Sequence, residues 1–284
     1  MSAPSLPARV GLSLKASQVA IGLSVAVVAV VAACALLAPA VLGYSNDLNM
    51  GAALQPPGAA HWFGTDNLGR DIFTRTLSGA RTSLVVGLGV SILTLVAGGL
   101  IGLVAGYVRV ADTLLMRIMD GLMAIPGVLL AIALASLLGG GLLTVMIAIS
   151  VPEIPRTARL MRSVVLSLRE MPYVDAAISI GSSTPRVLLR HILPNATEAL
   201  VVQATFVCAS AILAEAILSF IGVGISPDLP SWGNVMAGGR QFFRVAPWVI
   251  AFPGLFLSLL VIAINVLGDA LRERIDPRLS GRRA

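Results

Sequence analysis

Apolar residues in this chain come in long unbroken runs, and the short stretches between them hold nearly all of its charge. A bilayer core of about 30 Å takes roughly 20 apolar residues at a rise of 1.5 Å each. Six segments meet or approach that length. The first, Gln18 to Leu37, carries no charge, and the second runs from Ser83 to Tyr107. The third begins near Met119, contains Pro126 and ends at the glycine run 139–141. The fourth, Leu142 to Ile154, is short and leads into Pro152 and Pro155, so it reads either as a span or as a buried or re-entrant segment. The fifth runs from about Ala199 to Val223 and the sixth from Trp248 to Leu267. The pattern predicts an all-α integral membrane protein of six transmembrane helices.

The placing of charge helps to decide the fourth segment. With six spans and a cytoplasmic N-terminus, the inner segments hold Arg9 and Lys15, then Arg109 and Arg117. They also hold Arg156, Arg159, Arg162, Arg169, Arg186 and Arg190, and finally Arg272, Arg274, Arg278, Arg282 and Arg283. The outer loops keep only Arg70, Arg75, Arg81, Arg240 and Arg244. That excess of basic residues inside favours six spans with both termini cytoplasmic. The expected organisation is a tail over 1–17, a six-span domain over 18–268 and a tail over 269–284. Outer loops fall at 39–82 and 224–247, and a cytoplasmic loop at 155–195. The first 15 or so residues read as a disordered tail. Ala38-Pro39-Ala40 resembles a cleavage site, but the preceding apolar run is longer than the 7–15 residues of a signal peptide, so it is expected to stay as a span.

Composition agrees. The chain is 57% hydrophobic and 12% charged, with a mean hydropathy of +0.92, where a soluble domain carries roughly 25% charged residues. The net charge of +6 lies at the ends of apolar runs, which argues against nucleic acid as a partner. Cys34 and Cys208 fall inside apolar stretches and lack disulfide-framework or metal-site spacing. The glycines Gly98, Gly102 and Gly106 stand four apart, which lets two helix backbones approach closely. They serve either packing within the chain or an interface with another subunit.

Two polar segments carry candidate chemistry. In the outer one, Thr65 or Asp66 is placed to cap a helix containing Leu68 to Leu77. Arg70, Asp71 and Arg75 follow, either as a contact surface for another protein or as an internal ion-pair cluster. The cytoplasmic segment reads as a helix, a break and a second helix. Pro172 suits a first helical turn, Tyr173 to Ile180 has helical spacing, and Gly181 can stop the helix in a left-handed conformation. Thr184 then offers a cap and Pro185 a first helical position. Val187, Leu188, Ile192 and Leu193 form an apolar face until Pro194 ends or kinks the run. Such a hairpin either projects into a groove on another protein or lies on the membrane surface with Arg186, Arg190 and His191 toward lipid headgroups.

Asp175-Ala176-Ala177, followed by Gly181 and Leu193-Pro194, resembles the "EAA" loop of permeases in bacterial ATP-binding-cassette (ABC) importers, with Asp175 where Glu is usual. His61-Trp-Phe-Gly64-Thr65-Asp66-Asn-Leu-Gly69-Arg70-Asp71 resembles the outer-loop signature of the dipeptide, oligopeptide and nickel permeases. Arg117-Ile-Met-Asp120 with Pro126, Glu215-Ala-Ile-Leu-Ser219-Phe-Ile-Gly222 and Ser231-Trp232-Gly233-Asn234 are also similar. So are Ala246-Pro247-Trp248, Phe252-Pro253-Gly254, Asn265-Val-Leu-Gly268-Asp269 and Asp276-Pro277-Arg278. The resemblance is to the second, C-type permease of such a system. It implies a type I ABC importer permease fold in a bacterial inner membrane. It implies a homologous permease as heterodimer partner, two cytoplasmic ATPases that bind ATP and Mg, and an extracytoplasmic solute-binding protein. Short peptides are the implied cargo, with nickel chelates or other small solutes as the alternative. The loop at 155–195 would be the coupling element.

Glu215 lies in the fifth apolar segment, where a carboxylate costs about 2.5–3.5 kcal/mol on insertion scales. With Ser219 and Asn265 it either lines a path or bonds to another helix. No phosphate-cradling G-x-x-x-x-G-K-[ST] loop occurs, and Lys15 is the only lysine, so ATP hydrolysis is assigned to partners and no cofactor to this chain. No Ser/His/Asp or H-E-x-x-H arrangement points to an intramembrane protease. Neither His61 nor His191 has metal-ligand companions. An ion-coupled secondary transporter fits poorly, since Glu215 is its one strong candidate carboxylate.

Overall fold

The computed structural model describes residues 8–41, 48–226 and 228–275. The Asp276-Pro277-Arg278 motif, Arg282 and Arg283 lie outside the described residues, as does the expected tail over 1–7. Among the described residues ten α-helices follow one another: α1 (Ala8–Val41), α2 (Ile72–Tyr107), α3 (Arg109–Met123), α4 (Gly127–Leu138) and α5 (Leu142–Leu168). After them come α6 (Pro172–Ser179), α7 (Thr184–Val187), α8 (Leu193–Ile221), α9 (Trp232–Gly239) and α10 (Trp248–Ile275). A π-helical turn, Leu188–Ile192, joins α7 to α8. Among the described residues there is no strand, only an isolated bridge between Thr65 and Asp71.

Among the described residues, four helical stretches are long and apolar enough to cross a membrane: Gln18–Leu37, Ile72–Tyr107, Thr184–Ile221 and Trp248–Arg274. The third expected segment is a bent pair, α3 and α4, whose axes differ by 89°. Pro126 supplies no N–H and pushes Ile125 away from helical geometry, so the break falls there.

Several boundaries differ from the apolar pattern. The first helix begins at Ala8, so the part of the tail expected to be disordered that lies at 8–17 is helical. The second starts at Ile72 rather than Ser83, because Asp71 is its cap: Asp71 Oδ2 accepts from Thr74 N at 2.8 Å. Neither Thr65 nor Asp66 caps a separate outer helix. The fourth expected segment does not stop at Ile154 but, as α5, runs through Pro152 and Pro155 to Leu168. Two interior prolines each remove a backbone bond, yet Ala148, Ile149, Pro155, Thr157, Ala158, Met161 and Val165 are all buried. Packing along α2 outweighs the local penalty.

The seam between α2 and α5 explains the glycine spacing. A Cβ at Gly98 would sit 2.9 Å from the Ile154 carbonyl, and one at Gly106 2.6 Å from Val165 Cβ. At Gly102 it would sit 2.6 Å from Met161 Cβ and 2.9 Å from Arg162 N. The small-residue stripe therefore closes a contact within this chain. Around it, Val86, Val90, Ala131, Ala135, Val145 and Ala148 are buried among α2, α4, α5 and α8. On the far side α1 packs on α2 and α10, with Val31 and Ala35 in one buried cluster with Ala80 and Leu260. Large apolar side chains point outward, as Leu23, Leu100, Leu129 and Ile262 do, which suits lipid as the surrounding solvent.

Candidate functional site

The loop between α5 and α8 is built on two helix ends. Met171 is extended (φ −81°, ψ 139°) and Pro172 opens α6 with its ring already at helical φ. At the other end Gly181 has φ +81°. Its N–H donates to Ile178 O at 2.9 Å, and Ser182 N donates to Ala177 O at 3.1 Å. These paired bonds satisfy the last carbonyls of the helix and need a left-handed residue, which glycine adopts without strain. Ser183, not Thr184, is the extended residue before α7, and Thr184 and Pro185 are its first helical residues.

Pro194 does not end the second helix. It sits in the first turn of α8, and the chain runs as one helical rod from Thr184 to Ile221. A proline in mid-rod has no N–H and its ring crowds the carbonyl four residues back. The π turn at Leu188–Ile192, immediately before it, absorbs the misfit. The second half of the loop is therefore the continuation of a long helix and not a free hairpin arm.

Burial divides the loop into a root and a tip. Val174, Val187 and Ile192 are fully buried, packed with Leu103 of α2, Met161 and Val165 of α5, and Ala196 of α8. Ala177 is buried beside them. Asp175, Ala176, Gly181, Pro185, Arg186, Arg190 and Pro194 are exposed, while His191 and Leu193 are half-buried. Ile180 is 83% exposed and Leu189 60%. Asp175 lies in the first turn of α6, where the helix dipole favours an anion. The loop thus joins a buried root to uncovered apolar side chains, of the kind that mark contact surfaces.

The outer signature is a folded knot. Asp66 Oδ1 accepts from Leu68 N (2.8 Å) and Arg70 N (2.9 Å), and its Oδ2 accepts from Arg70 Nε (2.7 Å). Thr65 Oγ1 donates to Ala52 O and accepts from Gln55 N. Trp248 Nε1 donates to Thr65 O at 3.2 Å, and a side chain at Gly64 would strike the same indole. Gly69 lies as closely against the Asn49 backbone. His61 Nδ1 and Asp71 Oδ1 are 3.0 Å apart. Arg75 is buried in α2. Phe63 stacks on Phe252 with ring centres 4.1 Å apart. These contacts pin the outer segment to the start of α10.

Glu215 is fully buried in α8. Ser83 Oγ of α2 donates to its Oε2 (3.3 Å) and Ser219 Oγ to its Oε1 (2.8 Å). Asn265 Nδ2 donates to Val261 O of its own helix at 2.9 Å. Replacing Glu215 by leucine leaves buried hydroxyls, those of Ser83 and Ser219 among them, without their acceptor, at about 1–3 kcal/mol each. Glu215→Gln keeps an oxygen acceptor and offers an amide that either hydroxyl can accept. Thermal unfolding in detergent should therefore show Glu215→Leu clearly below Glu215→Gln. Equal midpoints would count against a structural role for these bonds.

Sequence reasoning missed three charged contacts. Arg162 of α5 holds Asp112 of α3 through two bonds, and Arg159 holds Asp120. Glu153 lies inside α5, where Ser210 Oγ of α8 donates to it at 3.2 Å and Arg156 Nη1 at 3.3 Å. The signal for Glu153 was present, since a carboxylate between Pro152 and Pro155 follows an uncharged run. It was hidden by the expectation that the helix ended there.

This is the architecture of a polytopic helical membrane protein whose α5–α8 loop keeps apolar side chains uncovered. Its fold is similar to a chain of the MetNI methionine ABC transporter in inward-facing conformations, with a TM-score of 0.59 at 18% identity over 72% of this chain and 98% of the other. Residues 98–281 match the model of the binding-protein-dependent transport system inner membrane component, and the chain belongs to that family. It is similar to the probable peptide ABC transporter permease protein y4tQ of Sinorhizobium fredii, 52% identical over 87% of this chain and 86% of the relative. It is also similar to the dipeptide transport system permease protein DppC of Alkalihalophilus pseudofirmus, at 43% over 86% and 81%. The glutathione transport system permease protein GsiD of Pectobacterium atrosepticum is 42% identical over 78% and 74%. The chain is thus a multi-pass inner-membrane permease subunit of an ABC importer, and hydrolysis of ATP belongs to separate subunits.

Proposed function

We propose that this chain forms, with a homologous permease, the membrane path of an importer of short peptides. In this reading it crosses the membrane six times with both termini in the cytoplasm. The bent α3–α4 pair is then the third span and the first half of α5 the fourth. Two cytoplasmic ATPases holding ATP and Mg seat the tip of the α6–α7 loop, and an extracytoplasmic binding protein delivers cargo from the other side. Peptide as cargo is supported by the relatives, whose names specify peptide, dipeptide and glutathione transport.

The observation that carries the coupling role is the division of the loop into buried root and exposed tip. Val174, Val187 and Ile192 tie it to the ends of α2, α5 and α8, while Ile180 and Leu189 stay uncovered. A movement imposed on the tip passes through packed side chains to three membrane helices, because such packing does not deform freely. Since α7 is continuous with α8, tip and path move as one lever.

Cells lacking this subunit should lose uptake of labelled di- and tripeptides and regain it with the gene restored. Uptake of nickel and its chelates, measured in parallel, is expected to be unchanged. Loss of nickel uptake with normal peptide uptake would overturn the cargo assignment.

A further inference from the structure

Beside the break between α3 and α4 lies a cleft of about 370 Å³, walled by α4, α5 and α8. That volume is in the range of small-ligand sites, about 300–1,000 Å³. Its walls are apolar, with Val128, Ile149, Leu213 and Ile217 among them. Glu153 and Arg156 are its only charged residues, and Ser210 supplies a hydroxyl. Glu153 stands about 17 Å along α5 from Leu142 at 1.5 Å per residue, within the depth of a bilayer core. A carboxylate at that depth is costly against lipid and belongs on a wet path, and Arg156 follows it at the cytoplasmic end of the span.

We propose that this cleft is a transit site for the peptide within the membrane path, with Glu153 receiving the free α-ammonium and Arg156 the carboxylate end. The assignment rests on the importer reading above. Four features of the cleft favour a zwitterion with an apolar side chain. The acid and base stand one helical turn apart, so their charges match the two ends of a short peptide. Their own contact is long at 3.3 Å, with the Arg156 side chain 66% exposed and that of Glu153 15%, so the guanidinium is the partner that can swing away to admit substrate. Ser210 donates to Glu153 Oε1 and holds the carboxylate in place. A bare metal ion is a poor fit, since one carboxylate beside a guanidinium offers too few ligands. Among the described residues no group of three or more His, Cys, Asp or Glu is placed to hold a metal.

The test uses the assembled importer, with its partner permease and ATPases, in lipid nanodiscs without the binding protein. Labelled alanyl-phenylalanine should bind saturably to the wild type, and its N-acetyl form about 10- to 100-fold more weakly, as loss of one charge-assisted hydrogen bond predicts. Glu153→Gln should weaken the free peptide to the level of the acetylated one and leave the acetylated one unchanged, whereas Glu153→Asp should restore much of the preference. A merely structural residue would shift both peptides together. Equal binding of the two peptides by the wild type overturns the site without need of any variant. So does undiminished binding of the free peptide by Glu153→Gln. Uptake of the free peptide by wild-type vesicles supplied with binding protein reports separately on the importer reading, and its absence overturns that reading instead.

Discussion

Gly102→Val is expected to lower the thermal midpoint of the detergent-solubilised protein by roughly 5–10 °C, for a loss of about 3 kcal/mol. A Cβ there would already lie 2.6 Å from Met161 Cβ and 2.9 Å from the Arg162 backbone nitrogen. Backbone cannot swing aside as the end of a flexible side chain can, so α2 and α5 must separate. Separation uncovers Val165 and Met161 and loosens the buried root of the cytoplasmic loop. Two other glycines serve as controls. Gly99→Ala meets only Leu200 Cδ1 at 3.7 Å, and a Cβ at Gly121 meets nothing within 4 Å. Both should hold or raise the midpoint, since alanine is the better helix former. A wild-type midpoint for Gly102→Val would show that α2 and α5 do not close on this stripe.

Gly181→Val should leave insertion and the thermal midpoint near normal while uptake and substrate-stimulated ATP hydrolysis fall about tenfold or more. Space is not the obstacle, because a Cβ at Gly181 meets no atom within 4 Å. Conformation is: φ of +81° costs an L-residue about 1–2 kcal/mol, and a β-branched one is a poorer fit still. The valine chain leaves that basin, breaks the bonds from Gly181 N and Ser182 N, and re-aims α6 relative to α7. Gly181→Asn should retain much of the transport, since asparagine tolerates the left-handed region. Full uptake by Gly181→Val, or equal failure of Val and Asn, would contradict a role that depends on the angle of this turn.

The two results separate what a glycine does in this protein. Gly102 is required by a neighbour distant in sequence, and Gly181 by its own backbone. Only the second kind is readable locally. The break at Gly181 and the proline starts at Pro172 and Pro185 were legible because each acts on its own dihedral or its own N–H. The glycine stripe announced a close approach but did not name the helix that makes it. Pro194 marked a disturbance without saying whether the rod ends or bulges, and a π turn made it bulge.

Helix ends show the same limit. Apolar runs report where lipid can lie, and helices continue past them wherever packing covers the polar turns. That is why α2 starts at Ile72 and α5 reaches Leu168. The cap at Asp71 was hidden because Thr65 and Asp66 carry equally suitable oxygens. Those oxygens are engaged instead by the knot around Ala52, Gln55 and Arg70.

By itself the sequence determined that the chain is helical and membrane-embedded. Runs of apolar residues and the scarcity of charge are properties of composition, and no tertiary contact can reverse them. It also determined the outline of the loop, since glycine and proline act locally. Tertiary structure alone decided which helix closes on Gly98, Gly102 and Gly106, and that α5 passes through two prolines. It also decided that Glu215 bonds to Ser83 while Glu153 faces a cleft. Each of these depends on atoms far apart in the chain, whose meeting is set by packing rather than by any local preference.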